Sequence, residues 1–335
     1  MSDKLLSDEG RAHMQTVKIT NESDLAKIAQ SGGFTQHGAV VALGFFDGLH
    51  KAHRELIASA RAAAKEKDLR LVIFTFSGDD NLLKTNVKKL FTDEEKLSLL
   101  EECGADCTVL ANFAVFADLV PESFVKDFLV GSLGANVAVC GYNFRFGKGA
   151  RGNAETLVKL MKDSGGEARV VEEYTVNGIP LSSTYIRNLL SQRRVREAAN
   201  LLGKPYFLSG KVSHGLGLGR KLGIPTVNLE LNPERFVLPS GVYATVTEIG
   251  KDRFPSLTNV GVCPTFDARE IHTETLILNF NNTVYDESIR VYFIDFLRDE
   301  EKFSSAEELI MQINVDKNKT LKLFGDIKWQ ELGLN

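Results

Sequence analysis

The chain has 335 residues, 40 Lys+Arg against 44 Asp+Glu, a formal net charge of -4, and 43% hydrophobic and 25% charged residues. Roughly two domains fit that length, and the near-neutral balance excludes a general polyanion binder while leaving room for local basic pockets. With a mean hydropathy of -0.10, the composition belongs to an ordinary globular chain, not to a disordered or collagen-like one.

Met1–Gly10 mixes both charges with two leucines and has no apolar h-region, so no secretory signal is read there. The longest apolar stretch, near Ala39–Phe46, is far short of a membrane span. Four cysteines cannot form a disulfide framework, and Cys103 and Cys107 lack a second pair or a nearby histidine for zinc. A reducing cytoplasm is the expected compartment.

From Val40 to Leu202, short apolar runs alternate with helical segments. Ala39–Gly44 (AVVALG), Leu71–Phe76 (LVIFTF), Asn136–Gly141 (NVAVCG) and Arg169–Tyr174 (RVVEEY) read as strands, the first three apolar nearly throughout as in a covered parallel sheet. His53–Lys67 carries Leu56, Ile57, Ala60 and Ala64 at helical spacing; Thr92 with Glu95 forms a capping box; Pro121 fits a first helical turn. Strand and helix in alternation predict a doubly wound α/β domain. After Leu202 the turn residues crowd, and β-rich runs such as Val242–Ile249, Thr275–Phe280 and Ile289–Leu297 predict a small antiparallel barrel. Ser305 with Glu308 opens a last helix. The boundary is expected at Leu190–Lys204, where Gln192–Arg196 reads as a solvated basic stretch, giving residues 1–15 as a flexible extension, 16–200 as the first domain and 201–335 as the second.

Leu43–His53 (LGFFDGLHKAH) joins a strand end, a turn with Gly44, Phe45, Asp47 and Gly48, and the start of a helix with His50 and His53 on one face. Ligands of open α/β sheets sit at the carboxyl ends of strands, and a helix start favours phosphate. Two imidazoles aimed at the same oxygens would suit a phosphoryl transition state; two histidines at a helix start is the plainer alternative. Cys140–Gly147 (CGYNFRFG) offers Asn143 between aromatics and leads to Arg151. Leu181–Leu190 (LSSTYIRNLL) places Ser183, Thr184 and Arg187 as a second phosphate grip. Neither a P-loop nor a Rossmann G-x-G-x-x-G is present.

Ser209–Leu229 (SGKVSHGLGLGRKLGIPTVNL) has five glycines in fourteen positions. Gly210, Lys211, His214, Gly215, Gly217, Gly219 and Arg220 read as a flap whose N–H groups and cations approach a polyphosphate. Thr226 and Asn228, alternating with Val227, put a hydroxyl and an amide on one strand face, donors that suit Mg²⁺. Glu274, within IHTETLILNF, is a candidate base for an alcohol nucleophile, or else an exposed strand carboxylate.

In order and spacing, the blocks GFFDGLHKAH, GYNFRFG, LSSTYIR, LLGKPYFLSGKVSHG, GRKLGIPTVNL, LPSGVYA, NVGVCPTF and FLRDEEKF resemble the prokaryotic bifunctional riboflavin kinase/FAD synthetase family from about Val40 to Asp316. The resemblance implies an α/β nucleotidyltransferase-type (Rossmann-like) domain followed by a small antiparallel β-barrel riboflavin kinase domain. It implies phosphorylation of riboflavin to FMN by ATP, then adenylylation of FMN to FAD with release of pyrophosphate. By position, Glu274 falls on the kinase base, Thr226 and Asn228 on its Mg²⁺–ATP motif, and Arg298 with Glu301 on the flavin side. His50 and His53 fall on the adenylyl-transfer motif, Asn143 on a polar site position, and Ser183, Thr184 and Arg187 on the phosphate signature. Riboflavin, FMN, FAD and ATP are the implied partners, without nucleic acid or membrane.

Thr75–Asp80 (TFSGDD) lacks the proline and histidine that the family carries there, and Ala52 replaces a glycine between the histidines. Val227 within PTVN and Asn279 in place of aspartate are milder departures. These leave open a riboflavin kinase with weakened adenylyl transfer, or a flavin- or nucleotide-binding regulator without turnover. A tRNA-charging relative with paired histidines is disfavoured by the net charge and the second half.

Overall fold

The computed structural model describes residues 13–31, 38–78, 87–213, 224–264, 269–280, 282, 284–325 and 334. The chain divides into two units, Met1–Ser182 and Ser183–Asn335.

The first unit begins with β1 (Gln15–Ile19) and α1 (Glu22–Ser31). β2 (Ala39–Leu43), α2 (Lys51–Lys67), β3 (Arg70–Phe76), α3 (Asp93–Glu102) and β4 (Cys107–Ala111) follow. A short α4 (Phe113–Phe116) and α5 (Pro121–Ser123, Pro121 at its start) run into a π-helical stretch, Phe124–Ser132. Then come β5 (Ala135–Gly141), the two-residue pair β6 (Arg145–Phe146) and β7 (Gly152–Asn153), α6 (Ala154–Asp163), β8 (Glu167–Val171), and the pair β9 (Thr175–Val176) and β10 (Ile179–Pro180). All pairings of the six-stranded sheet β1-β4-β3-β2-β5-β8 are parallel. β2, β3 and β4 are buried almost throughout, which explains their unbroken apolar runs: helices cover both faces.

Two of the six strands, β1 and β4, were not expected from sequence. β1 is an edge strand with an alternating exposure pattern, and its pairing starts at Gln15 opposite Cys107, one residue inside the predicted extension. β8 ends at Val171, three residues before the predicted strand end. α2 starts two residues earlier than predicted, with His50 as its N-cap. The capping box of α3 is present: Glu95 N–H donates to Thr92 Oγ1 at 3.2 Å and Thr92 N–H to Glu95 Oε2 at 2.7 Å. The π-helix ends on an i−5 bond, Leu133 N–H to Phe128 O at 2.9 Å, and the Ser132 hydroxyl donates to Asp127 O at 2.9 Å. The wide turn packs Phe124 and Phe128 beside Phe74 and Phe116, centroids 4.8–6.3 Å apart.

The second unit opens with α7 (Ser183–Ser191) and α8 (Val195–Leu202). β11 (Phe207–Ser213), β12 (Val227–Leu229), β13 (Gly241–Ile249), β14 (Asp252–Pro264), β15 (Arg269–Ile277) and β16 (Ser288–Arg298) close an antiparallel barrel in the order β11-β12-β15-β14-β13-β16. α9 (Ala306–Gly325) follows. Glu308 N–H donates to Ser305 Oγ at 3.2 Å, while the Glu308 carboxylate turns to Ser304 instead of completing the box. Hydroxyls buried in the barrel satisfy one another: Thr245 with Thr258 at 2.9 Å, Thr258 with Thr275 at 2.9 Å, and Thr247 with Ser256 at 2.7 Å.

Contacts divide the chain after Ser182, and Gln192–Arg196 is not simply solvated. Arg193 Nη2 donates to Ser240 O at 3.0 Å and pairs with Asp299 at 2.9 Å, its guanidinium lies 4.8 Å from the Phe296 ring, and Arg196 pairs with Asp295 at 2.6 Å. These bonds fasten the α7–α8 hairpin to the barrel strands, so the basic stretch is a latch and not a linker. In β15, the strand expected over Thr275–Phe280 instead ends at Ile277, because Asn279 takes a left-handed φ of 57° in the turn.

Candidate functional sites at a strand end and on the barrel wall

In the first sheet β2 is flanked by β3 on one side and β5 on the other, so the topological switch falls between β2 and β5. The carboxyl ends of these strands are where an open α/β sheet opens a crevice. The residues leaving β2 form a tight loop in which Phe46, Gly48 and Leu49 all have positive φ (52°, 88° and 42°). Side chains hold that coil. Thr75 Oγ1 donates to Phe45 O at 2.9 Å, Leu90 N–H donates to the buried Asp47 carboxylate at 3.0 Å, and Arg54 Nε donates to Leu49 O at 3.0 Å. A Cβ on Gly44 would lie 2.7 Å from the Phe46 ring.

His50 and His53 are brought together. Their rings stack with centroids 3.8 Å apart and 18° between planes, and Phe46 meets His53 edge-on at 5.4 Å. Burial holds the His50 pKa down at about 4 and drives that of His53 well below its ordinary value, with His50 adding to the second shift. Both imidazoles are therefore neutral at pH 7, each with one N–H to donate. Nδ1 of each is buried and has no hydrogen-bond partner among the described residues. His50 makes no side-chain cap bond, so helix capping does not account for it.

A buried cation that the sequence reading missed lies beside this loop. Lys96, 4% exposed, donates from Nζ to Phe76 O at 2.7 Å, pairs with Asp93 at 3.4 Å and sits 5.4 Å from the Phe45 ring centre. Burial lowers its pKa and Asp93 opposes the shift. The only sequence signal for Lys96 is a lysine one turn into a capped helix. Asp93 also accepts from Ser77 and from Gly78 N–H, tying the start of the TFSGDD segment to α3. Asp79 and Asp80 lie outside the described residues.

Asn143 is exposed in the turn after β5, and Arg151 is exposed after a short 3-10 turn, so both stay at the surface of the first unit. Ser183, Thr184 and Arg187 occupy the first turns of α7, in the second unit. Cys103, Cys107 and Cys140 are buried and form no disulfide; burial raises the thiols of Cys107 and Cys140 to about 12, leaving them inert.

On the barrel, strand alternation builds the site. Thr273, Thr275 and Ile277 of β15 are buried, while Glu274 between them is exposed. Register places Glu274 directly opposite Asn228 of β12 on one side and Asn259 of β14 on the other. Directly opposed residues share a face, so the carboxylate lies between two amides. Thr226 lies half-buried immediately before β12, just outside the strand it was expected to share.

The glycine flap from His214 to Gly223, with Gly215, Gly217, Gly219 and Arg220, falls outside the described residues. Gly210 and Lys211 have structural partners: a Cβ on Gly210 would lie 2.5 Å from the Glu230 carbonyl oxygen, and Lys211 pairs with Asp286 at 2.9 Å. Arg298 is likewise engaged, donating from Nε to Asp316 of α9 at 2.8 Å. Glu301 is exposed.

Among the described residues no group of three or more His, Cys, Asp and Glu could hold a metal ion, and no helix is long and apolar enough to cross a membrane. Thr226 and Asn228 offer neutral oxygens. Such a set fits a Mg²⁺ ion that takes most of its ligands from water and phosphate.

Sequence models of two families match the chain: FAD synthetase over residues 34–185 and riboflavin kinase over 202–324. The bifunctional riboflavin kinase/FMN adenylyltransferase of Bacillus subtilis (strain 168) is 33% identical over 326 residues, covering 94% of this chain and 100% of that protein. The enzyme of the same name from Escherichia coli (strain K12) is 33% identical over 296 residues, 87% of this chain and 94% of its own. A crystal structure described as a macrolide-efflux protein from Streptococcus pneumoniae superposes with a TM-score of 0.81 at 31% identity, covering 92% of this chain and 99% of that one. With relatives of that identity matched over nearly their whole length, and both halves matched in order, the chain belongs to the bifunctional riboflavin kinase/FMN adenylyltransferase family.

Proposed function

We propose that the chain makes FAD in two steps: its barrel unit transfers the γ-phosphoryl group of ATP to riboflavin, and its α/β unit transfers AMP from a second ATP to the resulting FMN, releasing pyrophosphate. The observation that carries this reading is that one chain holds both matched domains in order, and that a relative carrying both matches 94% of its length.

In the barrel, the nucleophile is a neutral primary alcohol, which needs a base as its oxygen attacks phosphorus. Glu274 is the carboxylate for that task, exposed to substrate and fixed in register between Asn228 and Asn259. Thr226 and Asn228 would hold Mg²⁺ beside the ATP phosphates. When bound there, the ion would neutralise charge on the transferring group. Arg298 and Glu301, at the end of β16 and in the loop beyond it, would border the flavin.

In the α/β unit, the attacking FMN phosphate is already anionic at pH 7, so a strong base is unnecessary. Hydrogen-bond donors aimed at the α-phosphate are what the reaction needs. The neutral His50 and His53 imidazoles supply them, held by the coil of residues 44–50. Asn143 and Arg151 would take further phosphate and nucleotide contacts within this unit, and the Ser183, Thr184, Arg187 signature at the start of α7 would bind phosphate by its likeness to the family's motif.

Purified protein with ATP and Mg²⁺, supplied with riboflavin or with FMN, tests the proposal when the flavins are separated chromatographically. FMN and FAD from riboflavin, and FAD from FMN, are the expected products. FMN formation without FAD would refute the second step, and no product from either substrate would refute both.

A further inference from the structure

The barrel unit contains a set of polar contacts that tie the end of β16 to its surroundings. Three consecutive residues at the end of β16 each bind a different element. Arg298 Nε donates to Asp316 of α9 at 2.8 Å; Asp316 is 1% exposed and also accepts from Gln312 at 3.0 Å. Asp299 pairs with Arg193 of the α7–α8 turn at 2.9 Å. Glu300 Oε1 accepts from Asn259 Nδ2 of β14 at 3.1 Å. The third contact reaches the active strands, since Asn259 stands directly opposite Glu274.

The backbone makes room for it. A Cβ on Gly261 would lie 2.8 Å from Glu300 Oε1 and 2.9 Å from the His272 ring, so the glycine leaves the Glu300 carboxylate and the His272 ring room on β14 where they stand. Asn259 Oδ1 is buried without a partner, leaving the bond to Glu300 as the only hydrogen bond of that side-chain amide among the described residues.

We propose that Glu300 is a positioning residue for the kinase reaction: by gripping Asn259, it pins the loop after β16 to the strand pair that carries Glu274. The inference rests on the kinase reading above. Arg298 and Asp299 fix the start of the loop to helices, and neither sets its distance from the base. Glu300 does, through one hydrogen bond to the residue beside Glu274. The loop leads directly into Glu301, so the contact sets the width of the flavin-side wall before riboflavin arrives. Losing it leaves the base intact and loosens the wall, an effect on substrate binding more than on turnover.

Riboflavin phosphorylation by the full chain is the test, with KM and kcat measured separately for Glu300→Ala, Glu300→Gln, Asn259→Ala and the Glu300→Ala/Asn259→Ala double variant. For Glu300→Ala the riboflavin KM should rise roughly fivefold or more with kcat held within about twofold. Glu300→Gln keeps an acceptor oxygen and should restore a KM close to wild type. Asn259→Ala should raise KM similarly, with no further rise in the double variant. FAD formation from added FMN and the thermal midpoint should be unchanged throughout. An unchanged riboflavin KM in Glu300→Ala, a Gln variant as impaired as Ala, or single effects that multiply in the double variant would each overturn the inference. If the wild-type chain makes no FMN, it is the kinase reading itself that fails.

Discussion

Glu274→Gln separates chemistry from structure. The side chain is exposed, lies between two amides and changes by one atom, so the strand register on both sides should survive. A surface change of this kind costs within about 0.5 kcal/mol of stability. Loss of a general base costs roughly 10²–10⁴ in rate, which at 1.36 kcal/mol per decade is about 3–5 kcal/mol of transition-state stabilisation. The kinetic effect should thus exceed the stability effect several-fold in free energy. FMN formation from riboflavin measures the first, thermal unfolding the second, and FAD formation from added FMN provides an internal control within the same molecule. A kinase rate within about tenfold of wild type would show that Glu274 does not remove the proton. A large fall in the melting midpoint would show that the carboxylate is structural.

Three further outcomes follow from contacts elsewhere. Between pH 6.5 and about 4 the unfolded chain takes up a proton that the buried His50 refuses, so the stability from the neutral imidazole is full above 6.5 and is lost as the pH falls toward 4. The loss is on the order of 3 kcal/mol over that window and about 2 kcal/mol by pH 5; His50→Asn should reduce the difference between urea midpoints at pH 7 and pH 5, with the buried His53 supplying the rest, and equal pH dependence in both proteins would refute the burial argument. Gly210→Ala places a methyl 2.5 Å from the Glu230 carbonyl oxygen, and the forced separation of β11 from β12 should cost about 1–3 kcal/mol in urea unfolding; an unchanged midpoint would mean that the strands yield freely. Asp316→Ala removes one partner of an ion pair whose side chains are 14% and 1% exposed, so a loss of about 3–5 kcal/mol is expected in the unfolding of the barrel unit. A smaller loss in the Asp316→Ala/Arg298→Leu double variant than in Asp316→Ala alone would separate the uncompensated charge from lost packing.

Much of the architecture was legible because it rests on local pattern. The apolar runs at Ala39, Leu71 and Asn136 can be stable only between covering layers, and they became adjacent parallel strands of one sheet. Thr92 with Glu95 closed the expected capping box. Helix periodicity located α2, and because histidines three apart lie on one face, it also predicted that His50 and His53 would meet. β1 escaped because an edge strand of mixed polarity resembles a surface loop until its partner is known. Lys96 escaped for a similar reason: an amphipathic helix normally exposes its lysines, and only the packing of α3 against the loop after β2 buries this one.

The sequence alone determined the division into an α/β half and a β half, the order of the motifs and the family to which they belong, because those depend on residue type and spacing along the chain. Only the tertiary structure decided which polar groups are available for chemistry. It engaged Lys211 with Asp286 and Arg298 with Asp316, turned a basic stretch into a latch, and set Glu274 between Asn228 and Asn259. The physical reason is that a charge or an amide has no fixed role until its surroundings set its solvation and its partner. Those surroundings come from strands and helices far away along the chain.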